Sequence, residues 1–150
     1  EGILRHSDTK KKYIALVKNV PHGGSAGRMI TKALHARDSK EDIPAKTFYR
    51  VTKVFRFPGA PVFSLVEAEI KTGRRHQVRQ HLAMIGHPII MDNKYGDQHL
   101  NRAFRLRLRL GRLFLHSAEI SFFHPILKKQ ITITAPLPPD LKSVLKKLGG

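Results

Sequence analysis

The sequence predicts an α+β domain: a mostly antiparallel mixed sheet with a few flanking helices. Three observations lead there. Strand-like segments dominate the 150-residue chain. Two stretches have the apolar spacing of helices, and they do not alternate with the strands in βαβ order. At 47–71, two β-rich runs are separated by Pro58-Gly59-Ala60-Pro61, which reads as a hairpin.

Taken in order, the run from Lys12 to Val17 (Lys-Tyr-Ile-Ala-Leu-Val) is apolar enough for a buried strand. Pro21 to Gly27 is a turn-rich loop, and Ala36 to Pro44 is a polar, exposed one. Thr47–Phe57 and Val62–Lys71 form the hairpin, with Phe63, Leu65 and Glu67 on one face and Val62, Ser64 and Val66 on the other. The period then changes. Val78, Leu82 and Ile85 fall at i, i+4 and i+7, one face of a helix with Thr72 as expected N-cap, Gly86 as stop and Pro88 forbidding continuation. Arg105, Arg107 and Arg109 alternate with Leu106, Leu108 and Leu110 like an amphipathic strand. Arg112–Phe123 and Gln130–Ala135 make a further strand pair. A short helix over Pro138–Leu148 closes the chain, with Pro139 in its first turn and Leu141, Val144, Leu145 and Leu148 on one side.

Composition narrows the partners. The chain holds 28 Lys+Arg against 11 Asp+Glu, a formal net charge of +17. So large an excess repels itself in a compact state, and a polyanion, nucleic acid first, is the natural partner. The charges are spread over strands and loops and not gathered on one amphipathic helix, which disfavours a membrane surface. No apolar run approaches the roughly 20 residues of a transmembrane helix. Zero cysteines exclude disulfide and thiolate chemistry and fit a reducing, cytoplasmic setting.

The chemistry concentrates at Thr72-Gly73-Arg74-Arg75-His76-Gln77-Val78-Arg79-Gln80-His81. A basic helix start facing solvent is the plain alternative. Planar guanidiniums suit phosphate or carboxylate, and they keep their proton at any working pH. His76, His81 and His87 have the wrong spacing and too much surrounding positive charge for zinc, so no metal is expected. From Asn101 to Arg112 there are five arginines and no acidic residue, which fits either a solvated face or a phosphate-tracking surface. Tyr13 on its own reads as a core aromatic with its hydroxyl at an edge. Asp92 could be proposed as a catalytic acid, but it reads more naturally as a turn residue before Tyr95-Gly96.

Together these stretches resemble the RNA pseudouridine synthases of the RluA/RluC type. Lys11-Lys12-Tyr13-Ile14-Ala15-Leu16-Val17 is similar to the family's Lys-x-Tyr-x-Ala-Leu-Val motif, and Ala45-Lys46-Thr47-Phe48-Tyr49 to its Ala-x-Thr-x-Tyr strand. The basic run resembles its Thr-Gly-Arg-x-His-Gln-Ile-Arg-x-His helix. Gly86-His87-Pro88-Ile89, Lys94-Tyr95-Gly96-Asp97 and Arg112-Leu113-Phe114-Leu115-His116-Ser117 resemble the closing segments and lean toward the branch acting on large-subunit ribosomal RNA. The resemblance implies isomerisation of a flipped-out uridine without metal or cofactor. It implies Tyr13 beside the target base and Arg79 paired to a nucleophilic aspartate. The side-chain chemistry of the basic run itself offers Arg74, Arg75, His76, Gln77 and His81 as RNA contacts, together with Lys12 beside Tyr13.

One feature of the family is missing. Its aspartate lies in an Arg-Leu-Asp-x-x-Thr-Ser-Gly motif upstream of the tyrosine. Only twelve residues precede Tyr13 here, and Asp8, Asp38, Asp42, Asp92, Asp97 and Asp140 all lack that context. Residues 1–150, which start without methionine, are therefore expected to be the C-terminal portion of a catalytic domain, inactive alone. Edges bared by the missing strands are expected to invite a homodimer. A non-catalytic basic RNA-binding module is the competing expectation.

Overall fold

Strand β1, Lys10–Lys18, carries the most deeply buried run of the chain: Ala15, Leu16 and Val17 are all fully inaccessible. Only a central strand can be covered so completely, and β1 lies inside a six-stranded sheet in the computed structural model. Residues 9–35, 42–56, 59 and 61–149 are described. β2 (Arg28–Ile30), β5 (Thr47–Phe55), β6 (Phe63–Ile70), β7 (Leu115–His124) and β8 (Lys129–Thr134) complete the sheet, in the order β2-β5-β6-β1-β7-β8. Every ladder between these strands is antiparallel, as the paired, turn-linked segments predicted. β3 (Leu34–His35) and β4 (Asp42–Ile43) form a separate two-stranded ribbon, so the loop expected over 36–44 is partly paired. Its residues 36–41 lie outside the described residues, as do 57, 58 and 60 of the hairpin connection.

Two bulges adjust the sheet. Thr52 is the extra residue between Val51↔Val66 and Lys53↔Leu65, and its hydroxyl donates to the Leu65 carbonyl at 3.1 Å. The second lies beside Tyr13: Lys12 pairs with Glu119 but Tyr13 with Ser117, leaving Ala118 as the extra residue on β7.

Helix α1, Gln77–Met84, buries Val78 and Leu82 in the core, as its spacing predicted. It starts later than expected. The residue ahead of it is His76, in the left-handed region at φ 54°, and not Thr72. The reason is Gln77, whose Oε1 accepts from the Thr72 hydroxyl at 2.9 Å and the Arg74 N–H at 3.1 Å. That claims residues 72–74 as a loop. Gly86, at φ 84°, ends the helix as expected.

The largest correction falls on the arginine-leucine repeat. It is a helix, α2 (Gln98–Leu108), and not a strand. Asp97 caps it, accepting from the His99 and Leu100 N–H groups, and Phe104 anchors it edge-on to Phe63 with ring centroids 5.1 Å apart. Leu100, Phe104 and Leu108 supply a helical stripe, and Leu106, which an amphipathic strand would bury, is 69% exposed. Helix α3, Pro139–Lys147, has proline in its first turn and buries Leu141 and Val144.

Candidate functional site

Tyr13 and Arg79 meet across one open cleft of about 450 Å³. Three elements build it. β1 contributes Lys11 and Tyr13, two apart and therefore on one face. The loop into α1 contributes Gly73, Arg74 and His76, and α1 contributes Arg79 one turn further on. The entry to β7 contributes Leu113 and Leu115. The cleft thus has a cationic rim and an apolar wall. Gly73 lies beside the Lys11 ammonium, which would stand 3.0 Å from a Cβ at that position. Partial burial raises the Tyr13 pKa, so its hydroxyl stays protonated at neutral pH.

Arg79 is fixed by a carboxylate that sequence reasoning treated as a turn residue. Its Nε donates to Asp92 Oδ2 at 2.7 Å and a terminal nitrogen donates to Oδ1 at 2.8 Å, the two-bond geometry that guanidinium favours. The Asp92 side chain is fully buried, whereas 18% of the Arg79 side chain remains exposed. Asp92 is a turn residue as well, since Oδ1 accepts the Lys94 and Tyr95 N–H groups at 2.9 Å each. Burial pushes the Asp92 pKa up. The bond to Arg79, the two backbone N–H donors and the guanidinium charge outweigh it, and the pKa falls below the usual carboxylate range. The same bond raises that of Arg79. With both oxygens occupied and no surface on the cleft, Asp92 is placed to hold the arginine and not to attack a substrate.

An outer layer holds this pair in turn. Asn101 of α2 accepts the Met91 N–H at 2.7 Å and donates to the Asp92 carbonyl at 2.9 Å. The Tyr95 ring lies 5.3 Å from the Arg79 guanidinium and edge-on to His76. His76 has a lowered pKa, first from partial burial and then from Arg79, Arg75 and Lys94 around it.

The other expected RNA contacts divide. Arg74 and His76 line the cleft. Arg75 is exposed but outside its lining. Gln77 borders the cleft, yet its side chain is saturated: Nε2 donates to the Lys46 carbonyl and the Thr47 hydroxyl, while Oε1 accepts two bonds. His81 is fully buried. Its Nε2 must donate to the Lys32 carbonyl at 2.9 Å, so in the neutral ring Nδ1 accepts from the Thr47 hydroxyl at 2.8 Å. Burial lowers its pKa, in keeping with a neutral ring. Gln77 and His81 therefore clamp α1 onto β5 and are not presented to a ligand. Lys12 faces away from Tyr13 and pairs with Glu119 at 3.3 Å. Lys11, Leu113, Leu115, Asp92 and Tyr95 are the site residues that sequence reasoning did not assign. Strand alternation from Tyr13 was the available signal for Lys11, and motif membership for the leucines. Nothing local pointed to the Asp92–Arg79 pair.

A family model described as RNA pseudouridylate synthase matches residues 3–84. The chain is 40% identical over 120 residues to tRNA pseudouridine synthase C of Haemophilus influenzae, covering 76% of this chain and 50% of that protein. It is 39% identical over 152 residues to ribosomal large subunit pseudouridine synthase C of Vibrio cholerae, covering 97% and 46%. The Escherichia coli protein of the latter name is 34% identical over 154 residues, covering 97% and 47%. The chain thus spans about half the length of the curated relatives it matches. Among solved structures, Human RNA Pseudouridylate Synthase Domain Containing 1 has the same fold, with a TM-score of 0.71 at 23% identity over 92% of this chain and 59% of that one.

Proposed function

This chain belongs to the RNA pseudouridylate synthase family, and we propose that the protein isomerises uridine to pseudouridine in large-subunit ribosomal RNA. One observation carries the reading. Tyr13 and Arg79, 66 positions apart, open onto one cleft with an apolar wall and a cationic rim. An extruded uracil stacks on the Tyr13 ring against Leu113 and Leu115, and its flanking phosphates meet Arg74 and Lys11. The reaction breaks the N1–C1′ bond, turns the base within the cleft and forms a C5–C1′ bond; C5 gives up its proton and N1 takes one up. Atoms balance without a cofactor. Arg79, held by Asp92, keeps edge donors for the carboxylate nucleophile, whose segment we place outside these 150 residues. Tyr13 orients the base and handles a proton.

Large-subunit RNA is preferred because relatives named for it match along 97% of this chain. Transfer RNA is the second reading, favoured by the 40% identical Haemophilus influenzae relative. For either RNA we propose that the protein works in the cytoplasm. The β7–β8 end exposes Phe123, Ile126, Leu127 and Ile133, and we propose it as the edge through which copies pair when the chain stands alone.

Tritium release from [5-³H]uridine-labelled RNA tests the function. A chain of the relatives' length is expected to release tritium from large-subunit RNA, Tyr13→Ala and Arg79→Gln versions to lose at least ~100-fold, and residues 1–150 alone to release none. Release by the 150 residues alone refutes the placement of the nucleophile. RNA binding without release by the longer chain favours a non-catalytic RNA-binding module.

A further inference from the structure

Helix α2 starts one side chain away from the cleft: it begins three residues after Tyr95, whose ring lies against the cleft-lining Arg79. Its solvent side is lined with arginine. At 100° per residue Arg102 lies along the middle of that side with Leu106, Arg105 and Arg107 flank it, and Arg109 follows at the C-cap. All four arginines are exposed. No described carboxylate forms an ion pair with any of them. Their neighbours behave differently, for Asp97 is engaged by Lys18 at 2.9 Å and Asp140 by Arg112 at 3.7 Å. The negative end of the helix dipole accounts for cations in the last turn, which covers Arg105 and Arg107 but not Arg102. Nor does solubility call for four guanidiniums on one short helix in a chain already at +17.

We propose that the solvent face of α2 is a docking surface for the sugar-phosphate backbone of the substrate RNA, beyond the nucleotide in the cleft. This rests on the RNA reading above and adds where the flanking strand runs. Arg102 to Arg109 spans about 10 Å along the axis, room for several successive phosphates. The contacts are to phosphate, so they supply affinity and register and leave the choice of uridine to other residues.

The test compares salt dependence. Binding of the 150-residue chain to a fluorescently labelled large-subunit RNA fragment is followed by anisotropy from low to moderate salt, giving the slope of log affinity against log salt. The fourfold variant R102Q/R105Q/R107Q/R109Q is expected to flatten that slope by about 3, at roughly 0.7–0.9 per phosphate contact. A control that removes the same charge from other exposed sites, K53Q/R56Q/K128Q/K129Q, is expected to change it by less than about 1. The pair R102Q/R105Q gives about half the fourfold effect and keeps the result readable should the larger variant unfold. An unchanged slope in the fourfold variant, or a drop equal to the control's, overturns the proposal while the function stands. A parent chain whose RNA binding does not respond to salt also overturns the proposal, and one that does not bind the RNA at low salt overturns the RNA reading itself. Loss of binding to phosphatidylserine vesicles with RNA binding intact assigns the face to membranes and also overturns it.

Discussion

Replacing Asp92 by asparagine isolates the buried ion pair from the turn it sits in. Asparagine keeps a carbonyl oxygen that can accept from the Lys94 and Tyr95 N–H groups, so the local turn survives. What disappears is the charge and the Oδ2 acceptor facing Arg79 Nε. Breaking a fully buried pair from one side costs about 3–5 kcal/mol. Here the arginine is 18% exposed and can relax toward the cleft, so the lower end, about 3 kcal/mol, is expected. For a chain of this size that corresponds to a fall in Tm of roughly 6–12 °C. The measurement is urea unfolding of the parent, D92N, R79Q and the double variant. The cycle is expected to give a coupling energy of about 2–3 kcal/mol at pH 7. The sign with pH follows from the depressed Asp92 pKa. The unfolded carboxyl, near 3.9, binds its proton first as the solution is acidified. The pair's contribution is therefore complete above that value and is lost as pH falls through the lower folded pKa. D92N should lack that acid-limb loss. A coupling below about 0.5 kcal/mol, within the usual error of additivity, would refute the view that Asp92 positions Arg79.

Other perturbations test the surrounding layers. Burial lowers the His81 pKa, so the unfolded ring protonates first; its neutral-state stability is complete above about pH 6.5 and declines as pH falls toward the folded value. An H81Q chain should lose about 1–3 kcal/mol at pH 7.5, through the bonds to Thr47 and Lys32, and show a flatter profile from pH 7 to 5 by urea titration. Gly96→Ala places a methyl against the Asp92 carbonyl, a backbone atom that cannot give way, and should lower Tm and weaken RNA binding together. Ile133→Lys on the outer strand β8 should abolish any concentration-dependent association seen by sedimentation; an equally strong association in that variant would move the contact elsewhere.

Some of this molecule could be read from the chain alone because the causes are local. The apolar run of β1, the hairpin of β5 and β6, the stripe of α3 with its first-turn proline and the glycine stop of α1 all depend on neighbours within a few residues. The motif around Arg79 placed Tyr13 and Arg79 together for the same reason that a family resemblance works, by residues in order along the chain. Where the period itself was ambiguous, sequence failed. Arginine-leucine alternation satisfies a strand, and Leu100, Phe104 and Leu108 satisfy a helix equally well; the contact of Phe104 with Phe63 decided between them. Gln77 and His81 looked like ligands because a basic run invites that reading, and only the approach of β5 and Lys32 shows their bonds spent inside. Asp92 was legible as a turn residue, and that was half of its role. Its other half lies thirteen positions away in sequence and 2.7 Å away in space. Local chemistry writes elements into a sequence, but pairing a buried charge is settled by which surfaces the fold brings together, since only there does removal from water make the partner obligatory.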